Sequence, residues 1–258
     1  REEKIYTRIF ETASDGSEYV AENIVKNINR CVEAKGKCVI ALGAGTSTHS
    51  AYAALIRMHK EGKVSFKNVV VYSLGQFFPL IPDGPCTLRR LKEVFLNHVD
   101  INSDNIHTFD PDVTKEDMFQ CCKSYVHQIA DEGGLDLVVC EIAQSGAIAF
   151  NEPGTQDTSR CRLVLLGNET RHNVASDYKC EDVPTTAITL GIANILAADR
   201  VLTMAWGENR ASIVKKTVEE QANANVPASY LQGHAHAKVV VDLPASEELT
   251  RISQPWKV

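Results

Sequence analysis

Apolar and polar positions in this chain switch repeatedly between a strand-like and a helix-like period. The longest apolar run, Leu135–Ile142, follows Gly133-Gly134 and has the pattern of a strand buried on both faces. Shorter runs predict strands at Cys38–Leu42, Asn68–Ser73, Asn105–Phe109, Arg162–Leu166, Arg200–Trp206 and Ala237–Leu243. The stripe of Val20, Ile24, Ile28 and Cys31 predicts a helix over residues 17–34. Similar spacing predicts helices over Ala51–Lys60, Leu88–Val99, Lys115–Ala130, Thr189–Ala198 and Arg210–Glu220. Alternating strands and helices with short connections imply an α/β protein whose mostly parallel sheet is covered on both faces. A length of 258 residues suits one domain, 1–258, better than two small ones.

The run at Leu135–Ile142 continues into Ala143–Gly154, a stretch rich in small residues that ends in Phe150-Asn151-Glu152-Pro153. It reads as an irregular loop at a strand's carboxyl end, where open α/β sheets bind ligands. That loop holds one ionisable side chain, Glu152.

Bulk properties narrow the classes. A net charge of −6 with no basic block gives no support to nucleic-acid binding. No apolar run approaches the ~20 residues that span a bilayer, and no signal peptide is visible, so a cytoplasmic protein without a membrane partner is expected. The chain begins at Arg1 without a methionine and is expected to be a piece of something longer. Eight cysteines, at 31, 38, 86, 121, 122, 140, 161 and 180, show no zinc spacing. They read as reduced thiols, Cys38 and Cys140 as small core hydrophobes. His234 and His236 read as solvated loop residues, and no metal is expected.

Gly43-Ala44-Gly45-Thr46-Ser47-Thr48 joins a strand to a helix. Small residues and a helix N-terminus suit an anion, and equally a tight turn with a good cap. The segment is neither of the usual glycine-rich nucleotide loops, which disfavours a nucleotide. Arg210, opening a helix after Trp206-Gly207, reads as an anion partner or as a surface charge.

Ile148-Ala-Phe-Asn-Glu-Pro153 resembles the glucosamine-6-phosphate deaminase (isomerase) family, related to the 6-phosphogluconolactonases. Tyr52-x-Ala-Leu-x-x-Met-His-Lys60, Val64-Ser-Phe-Lys-x-Val-Val70, Asn97-His-Val-Asp-Ile101 and Ser229-Tyr-Leu-Gln232 extend the likeness over nearly the whole chain. The resemblance implies a Rossmann-like three-layer αβα fold, no cofactor, a sugar phosphate or related small anion as ligand, and a homo-oligomer. Pro227–Gln232 and Gln254-Pro-Trp256 look like a subgroup in which this domain precedes a deacetylase-like one, implying a fused C-terminal domain.

Carried over position by position, the resemblance implies lost chemistry. The family's proton-abstracting segment N-M-D-E-Y reads Ser73-Leu-Gly-Gln-Phe77, leaving Gly75 and Gln76 at the base and its acidic neighbour. Its ring-opening G-N-D-G-H reads Ala143-Gln-Ser-Gly-Ala147, with Ser145 for the Asp and Ala147 for the His. Glu152 is the retained member of that set. On the phosphate side the resemblance implies Gly43, Ala44, Gly45, Thr46, Ser47 and Arg210, whereas Asp177 falls where an arginine is expected, with Lys179 nearby. Arg162 remains at the effector site, but Val164 replaces its lysine. The function expected is therefore a catalytically degenerate deaminase-like domain of amino-sugar metabolism that binds a sugar phosphate or similar anion. The alternative is an active isomerase, deaminase or hydrolase with relocated chemistry on Glu152, Asp83, His172 or Cys86.

Overall fold

The computed structural model describes residues 2–257. In chain order the regular elements are β1 (Tyr6–Phe10), α1 (Ala13–Lys35), β2 (Cys38–Leu42), α2 (His49–Lys60), β3 (Val69–Ser73), β4 (Gly75–Phe78) and α3 (Thr87–Val94). Next come β5 (Ile106–His107), α4 (Met118–Asp131), β6 (Leu137–Glu141), β7 (Arg162–Leu165), α5 (Asn168–Tyr178), β8 (Thr186–Thr189) and α6 (Ile192–Leu196). Then β9 (Arg200–Ala205), α7 (Ala211–Val218), β10 (Ala237–Asp242) and two single-turn helices, α8 (Leu243–Ser246) and α9 (Thr250–Ser253), complete the order.

Seven strands form one parallel sheet in the order β1-β10-β9-β6-β2-β3-β5. Period-two alternation sends successive side chains to opposite faces. Val39, Ala41, Val138 and Cys140 pack with Met118, Cys122, Tyr125 and Ile129 of α4 and with Ile213 and Val214 of α7. Cys38, Ile40, Leu42, Leu137 and Val139 pack on the other face with Val20, Ile24 and Ile28 of α1 and with Tyr52 and Leu55 of α2. This is the three-layer αβα arrangement expected from the alternation, with β6 at its centre.

Several elements differ from the sequence pattern. A second, three-stranded sheet has no counterpart in the expected architecture: β4 pairs antiparallel with β8, and β8 with β7. The helix expected over Thr189–Ala198 gives way to β8 and a short α6, because Thr186–Thr189 finds strand partners on both sides. The strand expected near Phe109 is only Ile106–His107. The polar helix α5 and the edge strand β1 carry no strong periodicity and were not anticipated. α1 starts earlier than its apolar stripe because Thr12 Oγ1 accepts the Asp15 N–H at 3.1 Å and caps it. No helix among the described residues is long and apolar enough to cross a membrane.

Candidate functional site

On either side of β6 the strand order runs in opposite directions, to β2-β3-β5 and to β9-β10-β1. At such a switch point the loops leaving neighbouring strands part and open a crevice. The loops after β2 and β6 bound a cleft of ≈310 Å³ there, a size suited to a small ligand. Gly43, Ala44, Gly45, Thr46, Gly75, Ser145, Ala147, Glu152 and Arg210 all line it, so the fold gathers most of the positions singled out in the sequence.

Gly75 does more than lack a side chain. A Cβ at that position would lie 2.6 Å from Phe150 Cδ2 and 2.8 Å from the Ile188 carbonyl oxygen. The Phe150 ring, held edge-on to Phe77 with centroids 5.1 Å apart, closes this floor. Gln76 is turned out of the cleft: its Oε1 accepts the N–H groups of Phe77 and Thr87, each at 3.0 Å, the second at the start of α3. Ser145 Oγ accepts the Ala147 N–H at 3.3 Å, and Ala147 is buried.

Glu152 lines the cleft but is already committed. Its Oε2 accepts the Gly167 N–H at 2.8 Å, and Thr170 Oγ1 donates to Oε1 at 2.8 Å. It thereby anchors the first turn of α5, a helix whose cap residue Gly167 has no side-chain oxygen of its own. The preceding residue, Asn151, is fully buried; its Nδ2 donates to Ile148 and Leu190 carbonyls and its Oδ1 accepts from Arg162.

Asp83, Cys86 and His172, the candidates for relocated chemistry, do not line the cleft, and no histidine lines it among the described residues. Cys86 Sγ instead accepts the Gln76 amide at 3.4 Å. Burial pushes the Cys140 thiol on the cleft floor up to about 12, which keeps it protonated and inert at neutral pH.

The anion cradle expected at Gly43–Ser47 is not open. Glu141, at the end of β6, lays its carboxylate into it: Oε2 accepts the Ser47 N–H at 3.1 Å. A Cβ on Gly45 would fall 1.9 Å from Glu141 Oε1, so that glycine is what admits the carboxylate. Sequence reasoning passed over Glu141, although a charge closing an otherwise apolar buried strand was visible. It also passed over Arg90 and Tyr178. Arg90 stacks on the Tyr178 ring at 3.9 Å and donates to the Asp177 carbonyl at 3.1 Å. Although Asp177 keeps much of its surface in solvent, local desolvation raises its carboxyl above the ordinary range, against the opposing pull of Arg90, His49 and Arg210. Arg210 reaches the cleft with its Nε buried and without a hydrogen-bond partner.

Other expectations about ligating groups also meet their geometry. His234 is not a free loop residue; its Nε2 lies 2.6 Å from the Ala198 carbonyl oxygen. Cys31, Cys38 and Asp136 offer ligand atoms within 4.8 Å of one another. Both Asp136 oxygens are already engaged, by Lys35 Nζ at 2.5 Å and the Val39 N–H at 2.8 Å, so an internal cation stands where a metal would compete.

His49, against the Ala44 carbonyl, and His107, stacked on Tyr72, both have imidazoles held below 6.5, chiefly by desolvation. Unfolded imidazoles keep an ordinary value near 6.5, so below that pH the unfolded chain binds protons that the native chain refuses. Stability is therefore whole at pH 7 and falls as pH drops from about 6.5 into the window above the lowered native values. Urea midpoints measured from about pH 7 to about pH 5.5 are expected to decline. His107→Gln is expected to flatten that slope; a wild-type midpoint that rises on acidification contradicts the assignment.

The chain is similar to known proteins along most of its length. Residues 11–241 match the family described as glucosamine-6-phosphate isomerases/6-phosphogluconolactonase. A putative glucosamine-6-phosphate deaminase-like protein of Bacteroides thetaiotaomicron is 42% identical over 260 residues; the match takes in 100% of this chain, and the chain spans only 39% of that relative's length. The glucosamine-6-phosphate deaminase of Phocaeicola vulgatus is 35% identical, with 90% of this chain and 89% of that protein covered. A solved monomeric glucosamine-6-phosphate deaminase superposes with a TM-score of 0.87 at 27% identity, over 95% of this chain and 100% of that one. A 6-phosphogluconolactonase from Trypanosoma brucei shares the fold at a TM-score of 0.74 and 19% identity, over 96% and 99% of the two chains.

Proposed function

The chain belongs to the glucosamine-6-phosphate isomerase/6-phosphogluconolactonase family, and we propose that within it this domain is catalytically degenerate, a deaminase-like scaffold whose cleft binds a sugar without converting it. One observation carries the reading: both positions where the deaminase resemblance requires proton-handling groups hold Gly75 and Ala147, and the first lies under the Phe150 ring. A general base alone contributes about 10²–10⁴-fold, and positioned electrostatics a comparable amount. Loss of both leaves turnover near background. Glu152, the retained acid, serves as the anchor of α5 rather than as a partner to an imidazole.

The cleft itself has been kept. Among its lining residues are Arg210, Ser145 and Thr46 as polar groups, with the aromatic ring of Phe150 beside them. That combination suits a sugar, whose hydroxyls need several donors and acceptors and whose ring carbons pack on an aromatic plane. The expected sugar-phosphate or anion ligand retains Arg210 in its favour but meets Glu141 in its cradle. A relative more than twice as long supports placing this domain beside another in one protein.

The test is ammonia release from glucosamine 6-phosphate by purified protein, run beside a thermal-shift screen against hexoses, hexosamines and their phosphates. We expect no turnover above background and a stabilising shift with at least one sugar. Steady ammonia release abolished by Glu152→Gln overturns the degenerate reading; no shift with any sugar overturns the binding reading.

A further inference from the structure

The turn that leads into α2 already holds an anion on its Ser47 amide, and the anion is part of the chain. Ser47 N–H donates to Glu141 Oε2 at 3.1 Å, and the space above Gly45 is taken by the other carboxylate oxygen. The loop is fixed in this form from outside. Tyr52 Oη donates to the Gly43 carbonyl at 2.5 Å, and Trp206 Nε1 donates to the Ser47 carbonyl at 2.8 Å. Thr48 N–H is spent on the Gly45 carbonyl at 3.0 Å. A second anion arriving here finds the Ser47 amide occupied and a negative charge in contact with its own.

The rest of the cleft does not offset this. Glu141, Glu152, Glu169 and Asp177 line it against two cations, Arg90 and Arg210. Arg90 is engaged by the Asp177 carbonyl and the Tyr178 ring. The lining therefore carries an excess of negative charge, which favours an ammonium group or an uncharged ligand over a dianion. We propose that the cleft accepts an unphosphorylated sugar, neutral or bearing an ammonium group, and discriminates against sugar phosphates because Glu141 stands as a built-in anion where a phosphate would sit. This inference rests on the sugar-binding reading above and names its ligand class.

The experiment compares binding of glucosamine, glucose, glucosamine 6-phosphate and inorganic phosphate to the full chain and to Glu141→Gly and Glu141→Gln, by calorimetry at fixed ionic strength. In the wild type, glucosamine or glucose is expected to bind at least ~tenfold more tightly than glucosamine 6-phosphate, with inorganic phosphate silent. Glu141→Gly opens the cradle and is expected to gain inorganic phosphate and glucosamine 6-phosphate binding by ~tenfold or more. Glu141→Gln keeps an acceptor for Ser47 while removing the charge, and is expected to narrow the preference should the glycine variant fold poorly. Wild-type protein that binds glucosamine 6-phosphate as tightly as glucosamine overturns this inference and leaves the sugar-binding reading standing. Binding of none of the sugars by the wild type overturns both. Glu141 variants that fold yet leave the preference unchanged show that some other group sets it, and also overturn the inference.

Discussion

Installing an acid and an imidazole at the two emptied positions, Gly75→Asp with Ala147→His, is expected to yield a protein that still releases no ammonia from glucosamine 6-phosphate and unfolds more easily than its parent. The first substitution meets solid matter. Its Cβ would stand 2.6 Å from the Phe150 ring and 2.8 Å from the Ile188 carbonyl, and the carbonyl belongs to a strand that cannot yield without disturbing β4 and β7 together. The second places a ring at a position buried beside Ile148, in a chain whose cleft floor is closed. Overpacking of this kind costs about 1–3 kcal/mol per site, a large share of the ~5–15 kcal/mol that holds a typical domain folded. Adding Phe150→Ala removes one of the two obstructing groups and is expected to return part of the lost stability, leaving the Ile188 contact. Urea denaturation reads the stability arm and coupled ammonia detection the chemical arm. Turnover by the double variant would mean that only two side chains separate this cleft from catalysis, against the geometry argued above.

The second large effect is expected at the turn that leads into the cleft. Asp242, buried at the end of β10, accepts the Gly207 N–H at 3.0 and 3.3 Å and the Ala245 N–H at 3.0 Å. Gly207 sits at φ 90°, a region open to glycine, so the chain turns sharply there before delivering Asn209 and Arg210 to the cleft. Asp242→Ala leaves two backbone donors without partners at once, one of them the Ala245 N–H through which Asp242 caps α8. Charge-assisted bonds of this sort contribute about 1.5–3 kcal/mol, and helix caps about 1. The variant is expected to lose ~3 kcal/mol in urea denaturation, and Asp242→Asn, which keeps an acceptor, distinctly less. A loss below ~1 kcal/mol in the alanine variant would show that water replaces the carboxylate and that the Gly207 turn stands by itself.

How much of this was legible in the sequence depends on the range of the interactions. The parallel sheet announced itself because strands buried on both faces must be apolar throughout, as Leu137–Cys140 and Val69–Tyr72 are. The short strands of the second sheet did not, since Gly75–Phe78 and Thr186–Thr189 are four residues each and are strands because they meet across 108 residues, with β7 on the far side of the second. The same contrast governs the cleft. The absence of an acid at Gly75 and an imidazole at Ala147 could be read from a resemblance, and the proposal of lost proton chemistry rests on it. That Phe150 fills the space above Gly75 could not be read.

The sequence by itself determined the α/β class, the helical stripes against the sheet and the identities Gly75 and Ala147 at the two positions the resemblance singles out, because periodicity and residue identity are local properties that survive without coordinates. Only the tertiary structure decided what fills the anion cradle. Glu141 and Ser47 are 94 residues apart, and a carboxylate finds an amide at that separation only after two neighbouring strands have set their ends side by side.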